Sequence, residues 1–164
     1  TINLNTNAGH TDNLRKLINA GLDSIRVSLN SSRKKCYETY FRPVSYKFHN
    51  VLNSIDIAAE HGLFVSVNYL NIPGITDSPD EFDSFQRFLD NHAVNYIQWR
   101  NMNFDPLRYW KLLNDATRHG KPLGIANIIS LLKKRNPDVG HGYFNPPKEN
   151  MIHETDLNGT ESDA

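Results

Sequence analysis

Ser24-Ile25-Arg26-Val27-Ser28-Leu29-Asn30 alternates branched apolar residues with polar ones, and Phe64-Val65-Ser66-Val67-Asn68-Tyr69-Leu70 repeats the pattern further along the chain. Successive side chains of a strand point to opposite faces, so each stretch splits into two sets. Ile25, Val27 and Leu29 share one face, with Arg26, Ser28 and Asn30 on the other. Val65, Val67 and Tyr69 likewise oppose Phe64, Ser66, Asn68 and Leu70. Working outward, residues 2–7 and 95–101 read as two more strands of the same kind, with Ile97 and Trp99 opposing Gln98, Arg100 and Met102. Helical patterns lie between them. Residues 11–20 carry Leu14, Leu17 and Ile18 on one side and stop at Gly21, and residues 44–61 contain a longer helix closed by Gly62. Pro79 opens a third, with Phe82, Phe85, Phe88 and Leu89 at helical spacing. Two further helical stretches fall around residues 106–117 and 123–135. Strands alternating with helices predict an α/β fold with about four parallel strands, either an open sheet or part of a TIM-like barrel.

The chain has 164 residues, the size of one domain, with 38% hydrophobic and 22% charged residues, which excludes fibrous and disordered classes. No apolar run approaches the ~20 residues needed to cross a bilayer, and no secretory leader is visible, so a cytoplasmic location is expected. A formal charge of +0 argues against nucleic acid as a partner. The single cysteine, Cys36, excludes an internal disulfide and any self-contained zinc or iron–sulfur site. A chain that opens inside a strand is expected to lack the preceding part of its sheet. Its exposed edge strand then invites self-association. After residue 144 there is one basic residue, Lys148, against five acidic ones. Residues 1–120 are therefore expected to form the α/β unit, 121–147 a C-terminal helix and capping segment with a turn at residues 140–144, and 148–164 a disordered acidic tail.

Ligands of α/β sheets gather at the carboxyl ends of the strands. Those ends carry Thr6 and Asn7, Ser28 and Asn30, Asn68 and Asn71, and Arg100, Asn101 and Asn103. Amides and hydroxyls dominate, with one cation and no carboxylate. A hydrolytic carboxylate pair is missing, as are a glycine-rich phosphate loop and a nucleophile elbow around Ser28. The set is suited to hydrogen-bonding a polar, zwitterionic or hydroxylated ligand rather than to proton chemistry. A closed barrel fills its lumen with branched apolar side chains, so the polar strand face points to a lumen holding water or a polar ligand. The alternative is a face exposed because its covering layer lies outside these residues.

The order Thr6-Asn7-Ala8-Gly9, Ala20-Gly21-Leu22 and Ile25-Arg26-Val27-Ser28-Leu29-Asn30-Ser31 resembles the middle of radical SAM enzymes. In that family a Thr-Asn-Gly-like turn ends the third barrel strand and a Val-Ser-Leu-Asp-Ser-like stretch the fourth. The likeness continues through Tyr37, Arg42, Val51-Leu52-Asn53-Ser54-Ile55, Ala58-Ala59-Glu60-His61-Gly62-Leu63, Val65-Ser66-Val67-Asn68-Tyr69, Pro73-Gly74-Ile75-Thr76-Asp77 and Ile97-Gln98-Trp99-Arg100-Asn101, to about residue 105. Asn30 stands where Asp is commoner and Ala8 where Gly is. The family's C-x-x-x-C-x-x-C cluster loop has no counterpart here. The resemblance implies the carboxyl-terminal part of a six-stranded partial barrel, in an enzyme that cleaves S-adenosylmethionine (SAM) reductively at a [4Fe-4S] cluster to give a 5′-deoxyadenosyl radical. It implies SAM contacts for Ser28, Asn30, Asn68, Arg42, Met102 and Asn103. Thr6, Asn7 and Arg100 would face an unknown small-molecule or peptide substrate. The cluster ligands are not in this chain, which alone is expected to be inactive. Two other readings remain open: a non-catalytic α/β small-molecule-binding module and a partner-docking domain.

Overall fold

The computed structural model of the protein describes residues 1–103 and 105–143. Its elements run β1 (Asn3–Thr6), α1 (Thr11–Asn19), β2 (Ser24–Leu29), α2 (Lys34–Phe41), α3 (Phe48–Glu60), β3 (Phe64–Asn71), α4 (Pro79–Asn91), β4 (Tyr96–Asn101), α5 (Pro106–Ala116), α6 (Ile125–Arg135) and β5 (Gly140–Gly142). The strands form one sheet in sequence order, and every neighbouring pair is parallel. Right-handed crossovers between strands added always on the same side put the connecting helices on one face of a sheet. This is the α/β architecture with a parallel sheet that the strand alternation predicts, and it is the arrangement of a partial barrel wall.

The covered face is the apolar one. Ile25, Val27, Val65, Val67 and Ile97 are fully buried, Leu29 and Tyr69 nearly so, and Trp99 is half-buried. Leu14 of α1, Val51 and Ile55 of α3, Phe82, Phe85 and Phe88 of α4, and Ile128 and Leu132 of α6 belong to the same core. Burying one such side chain stabilises by roughly 1.5–3 kcal/mol, so this layer carries most of the fold's stability. A smaller core of Cys36, Ile72, Ile75 and Leu113, joined by Tyr40, Leu70 and Met102, sets α2 and α5 together near the carboxyl ends of the strands.

Two elements differ from the sequence reading. Helix α2 occupies residues read there as connecting chain. It is only 8 residues long, holds Tyr37, Tyr40 and Phe41, and begins without a side-chain cap, so local propensity is weak and packing forms it. Helix α3 accordingly starts at Phe48, after Arg42 ends α2 in the left-handed region at φ 47°. The fifth strand is the second difference, because Gly140-His141-Gly142 reads as a turn. These glycines serve a close approach instead: a Cβ at Gly140 would stand 2.3 Å from Tyr96 Cδ2, and one at Gly142 would stand 2.1 Å from Tyr96 Oη. The sheet thus has five strands where about four were expected. The expected acidic tail, residues 148–164, lies outside the described residues. Among the described residues no helix is long and apolar enough to cross a membrane.

Helix α4 is capped by Ser78, whose hydroxyl accepts from Glu81 N at 3.2 Å, with Pro79 in its first turn. That fixes Glu81 inside the protein, 1% exposed. Its carboxylate accepts from Ser31 Oγ at 2.6 Å, Ser32 N at 2.8 Å, Ser32 Oγ at 3.1 Å, Arg33 Nε at 2.7 Å and the Tyr69 hydroxyl. Burial works against the Arg33 charge, and Glu81 outweighs it. Burial and the neighbouring carboxylate hold the Tyr69 phenol well above its usual range, so it stays a donor.

Removing one side of a buried ion pair costs about 3–5 kcal/mol, because the partner is left uncompensated. Glu81→Ala should therefore lower the unfolding free energy by about that amount in urea titration. A loss below about 1 kcal/mol would show that solvent reaches the network.

His141 of β5 gives a pH prediction. Its Nδ1 accepts from Trp99 Nε1 at 3.1 Å, and burial, then Lys133, lower its pKa to about 4. The unfolded chain takes up this proton near the ordinary histidine value of about 6.5, so between about pH 6.5 and 4 the unfolded state binds more protons. The contribution is fully present above pH 6.5 and is lost as pH falls through that window. Thermal melts at pH 7 and pH 4.5 should show a smaller acid-induced drop in His141→Gln than in the wild type. An equal drop would remove His141 from the account.

Candidate functional site

Parallel pairing brings the carboxyl ends of β2, β3 and β4 to one edge. On the polar face the register sets Asn5, Arg26, Ser66 and Tyr96 side by side, then Ser28, Asn68 and Gln98, then Leu70 and Arg100. At that edge a cleft of about 240 Å³ is lined by Ser28, Leu29, Asn30, Asn68, Leu70 and Arg100 from the sheet, with Tyr40 and Phe41 from the end of α2. Typical small-molecule sites hold roughly 300–1,000 Å³, so this cleft takes part of a large ligand rather than all of one.

Four of the nine residues selected from the sequence meet here: Ser28, Asn30, Asn68 and Arg100. Asn68 is held from both sides, its Nδ2 donating to Asn5 Oδ1 at 3.5 Å and its Oδ1 accepting from Arg100 Nε at 3.4 Å. Arg100 Nη2 also donates to Gln98 Oε1 at 2.9 Å, and its guanidinium lies 4.4 Å from the centre of the Tyr143 ring. Asn30 follows the last residue of β2 and is 1% exposed. Its Nδ2 donates to Cys36 O at 3.2 Å, whereas its Oδ1 is buried without a partner. A buried carbonyl oxygen in a cleft wall is costly unless a donor such as an ammonium, amine or hydroxyl answers it.

The other five lie elsewhere. Met102 is half-buried in a second cleft of about 590 Å³, mostly apolar, with Ile72, Pro73 and Trp110. Trp110 Nε1 donates to Pro73 O there at 3.0 Å, pinning α5 over the loop after β3. Asn103 is exposed and lines neither cleft. Arg42 is exposed at the end of α2, beside Phe41 but outside the cleft lining. Thr6 lies on the same strand face as Leu4, and its Oγ1 accepts from Ala8 N at 3.0 Å. Asn7 is exposed, and its Oδ1 accepts from Gly9 N at 3.1 Å. Both side chains shape the turn through Ala8, whose φ is 54°, with Gly9 so close to Tyr46 that a Cβ would stand 2.4 Å from its Cγ.

Sequence reasoning missed Tyr40 and Phe41, because α2 itself carries little helical signal. The Tyr40 phenol is raised by burial and then by Tyr109, so it remains protonated. The polar face presents hydroxyls, amides and guanidiniums, which hold a ligand but abstract no proton. Among the described residues no group of three or more His, Cys, Asp or Glu could hold a metal ion. Cys36 is fully buried, its sulfur 3.3 Å from Thr117 Oγ1. The residues present therefore do not fit a [4Fe-4S] cluster, which takes several thiolates.

Residues 1–89 match the family model described as Radical SAM superfamily. No curated protein matches the chain. Among solved structures it is similar to a radical SAM methyltransferase from Sphaerobacter thermophilus, at 16% identity over 74% of this chain and 38% of that one, with a TM-score of 0.49. The chain thus spans less than half the length of that protein.

Anaerobic reconstitution of this chain with iron and sulfide should yield no stoichiometric cluster, since its one thiol is buried inside the fold. Iron and sulfide analysis with visible absorption checks this. Four iron and four sulfide per chain, independent of protein concentration, would contradict it.

Proposed function

The chain belongs to the radical SAM superfamily, and from that premise we propose that the cleft at its sheet edge binds part of SAM within a radical SAM enzyme. The observation that carries this reading is the unanswered Asn30 Oδ1 in a cleft that also holds Ser28, Asn68 and Arg100. SAM offers an ammonium, two ribose hydroxyls and an adenine amine, any of which can satisfy that acceptor. In this reading Ser28 and Asn68 hydrogen-bond the nucleoside, Asn30 accepts from it, and Tyr40 and Phe41 keep water from one side. Where the ligand outgrows this cleft and reaches the second one past Asn71, Met102 and Ile72 offer an apolar wall for the purine. No contact is assigned to Arg42, Asn103, Thr6 or Asn7, which are solvent-facing or bonded to their own turn.

SAM supplies carbon-radical chemistry in this superfamily when an iron–sulfur cluster cleaves it, and the protein's share is to bind, orient and exclude water. The thiolates for that cluster come from outside these 164 residues. The outer edge of β1, unpaired among the described residues, is where further barrel strands add, or where a second copy adds in their absence. The same cleft also suits a second reading, a non-catalytic small-molecule-binding module, since its lining offers hydrogen-bond partners but no carboxylate or imidazole. Formation of 5′-deoxyadenosine by the protein with its cluster-bearing partner segment separates the two.

Calorimetric titration of SAM tests the cleft. Losing one neutral hydrogen bond costs about 0.5–1.5 kcal/mol, so Ser28→Ala and Asn68→Ala should each weaken binding roughly 2- to 12-fold. Asn53→Ala, on the exposed side of α3, should leave affinity unchanged. Wild-type affinity in both strand variants would place the ligand elsewhere.

A further inference from the structure

One side-chain row nearer the amino ends, Arg26 of β2 sits in register between Asn5 of β1 and Ser66 of β3. It does not line the cleft assigned to SAM. Arg100 folds back over the same face, reaching Gln98 and Asn68. The remaining side chains that the five strands turn to this face are amides, serines, Phe64, Leu70 and Tyr96, and none is acidic. Among the described residues neither guanidinium is ion-paired, and Arg26 Nε is buried with no partner. The contrast with Arg33 is informative, because that guanidinium is answered on every side by Glu81, Arg118 O and His119.

From this face we infer that Arg26 and Arg100 form a binding site for an anionic group of the substrate, a carboxylate or a phosphate. A guanidinium presents parallel N–H donors that match either group. Burial and the nearby Arg100 both work against the Arg26 charge, a penalty that an anion between them reverses. Around it Asn5 is exposed, whereas Ser66 and Gln98 are buried, with Ser66 Oγ donating to Ile25 O at 3.2 Å and Gln98 Oε1 accepting from Arg100. A cationic substrate would meet two like charges on a face whose strands present no carboxylate. The name substrate rests on the reading above; the anion site does not. The same chemistry is carried by SAM's own carboxylate, and the experiment separates the two sources.

The probe is inorganic phosphate, titrated into the chain at constant ionic strength set with sodium chloride. The readout is the NMR signals of the arginine Nε–H groups, assigned by single substitution. Saturable shifts of the Arg26 and Arg100 signals are expected, with affinity reduced about tenfold or more in Arg26→Gln and in Arg100→Gln, since charge-assisted bonds are lost. Arg26→Lys, which keeps the charge without the fork, should fall between, and the wild-type melting profile confirms that each variant is folded. Phosphate shifts no larger than those of chloride would overturn the site. In the second arm SAM is titrated into wild type and Arg26→Gln. Equal SAM affinity supports a substrate anion, whereas a parallel tenfold loss would assign the site to SAM's carboxylate and overturn the inference. If phosphate binds and SAM does not, the SAM reading falls while the anion site stands.

Discussion

The buried carboxylate of Glu81 is the constraint on which the carboxyl edge of the sheet depends. It takes hydrogen bonds from three consecutive residues after β2, Ser31, Ser32 and Arg33, and from Tyr69 of β3. Arg33 then reaches Arg118 O at 3.0 Å and His119 Nδ1 at 3.0 Å, beyond the end of α5. One side chain of α4 thereby ties together two strand ends and two connections. A buried ion pair seldom adds much net stability, since desolvation consumes most of the attraction. Its consequence here is positional. Asn30 immediately precedes this anchored segment and α2 immediately follows it, so the cleft wall and the Tyr40–Phe41 lip inherit their places from Glu81.

The two faces of the sheet have different histories in the chain. Strands added in sequence order with right-handed crossovers carry their covering helices on one side, and the apolar set Ile25, Val27, Val65, Val67 and Ile97 packs there with α1, α3, α4 and α6. The other face is polar, and it is packed in part: Ser24, Ser66 and Gln98 are buried, and Leu70 joins the second core. Tyr96 shows how that face is still shaped. Its ring lies against Gly140 and Gly142, where a side chain at either position would collide with it. At this end of the sheet the polar face is therefore filled by one aromatic residue lying over two glycines.

Alternation made β1 to β4 legible, because a half-covered strand must segregate its side chains and the sequence shows that period directly. It failed for β5, three residues long, whose two glycines meet a contact with Tyr96, 44 and 46 positions earlier, that no local window contains. It failed for α2 as well, where tertiary packing on α5 overrides weak propensity. Site residues followed the same rule. Ser28, Asn68 and Arg100 were found because strand ends and faces are local properties. Asn30 was found for its place at a strand end, but its inward turn to Cys36 depends on α2. Thr6 and Asn7 read as ligand groups from their position, yet a short polar side chain beside a left-handed residue bonds its own backbone first. Arg26 was visibly on the polar face, while its unanswered Nε is a property of the folded protein alone.

The chemistry available to this chain follows from what its polar face lacks. Catalysis by proton transfer needs a group whose pKa lies near working pH, held within hydrogen-bond reach of the substrate. On this face every strand-borne polar group is an amide, a hydroxyl or a guanidinium, and burial raises the pKa of the Tyr40 phenol at the lip, which holds it in its neutral form. The most deeply buried carboxylate among the described residues, Glu81, has its oxygens occupied by five donors and lies among the connections of the fold. Such a surface orients a ligand while offering it neither base nor nucleophile. For a reaction run by a carbon radical that is a useful inertness, because spare thiols and readily oxidised groups near the ligand would divert it. The only thiol, Cys36, is kept in the second core behind the Asn30 wall. In the reading proposed above the reactive species comes from the cofactor, and this chain contributes the placement of hydrogen bonds and charge around it.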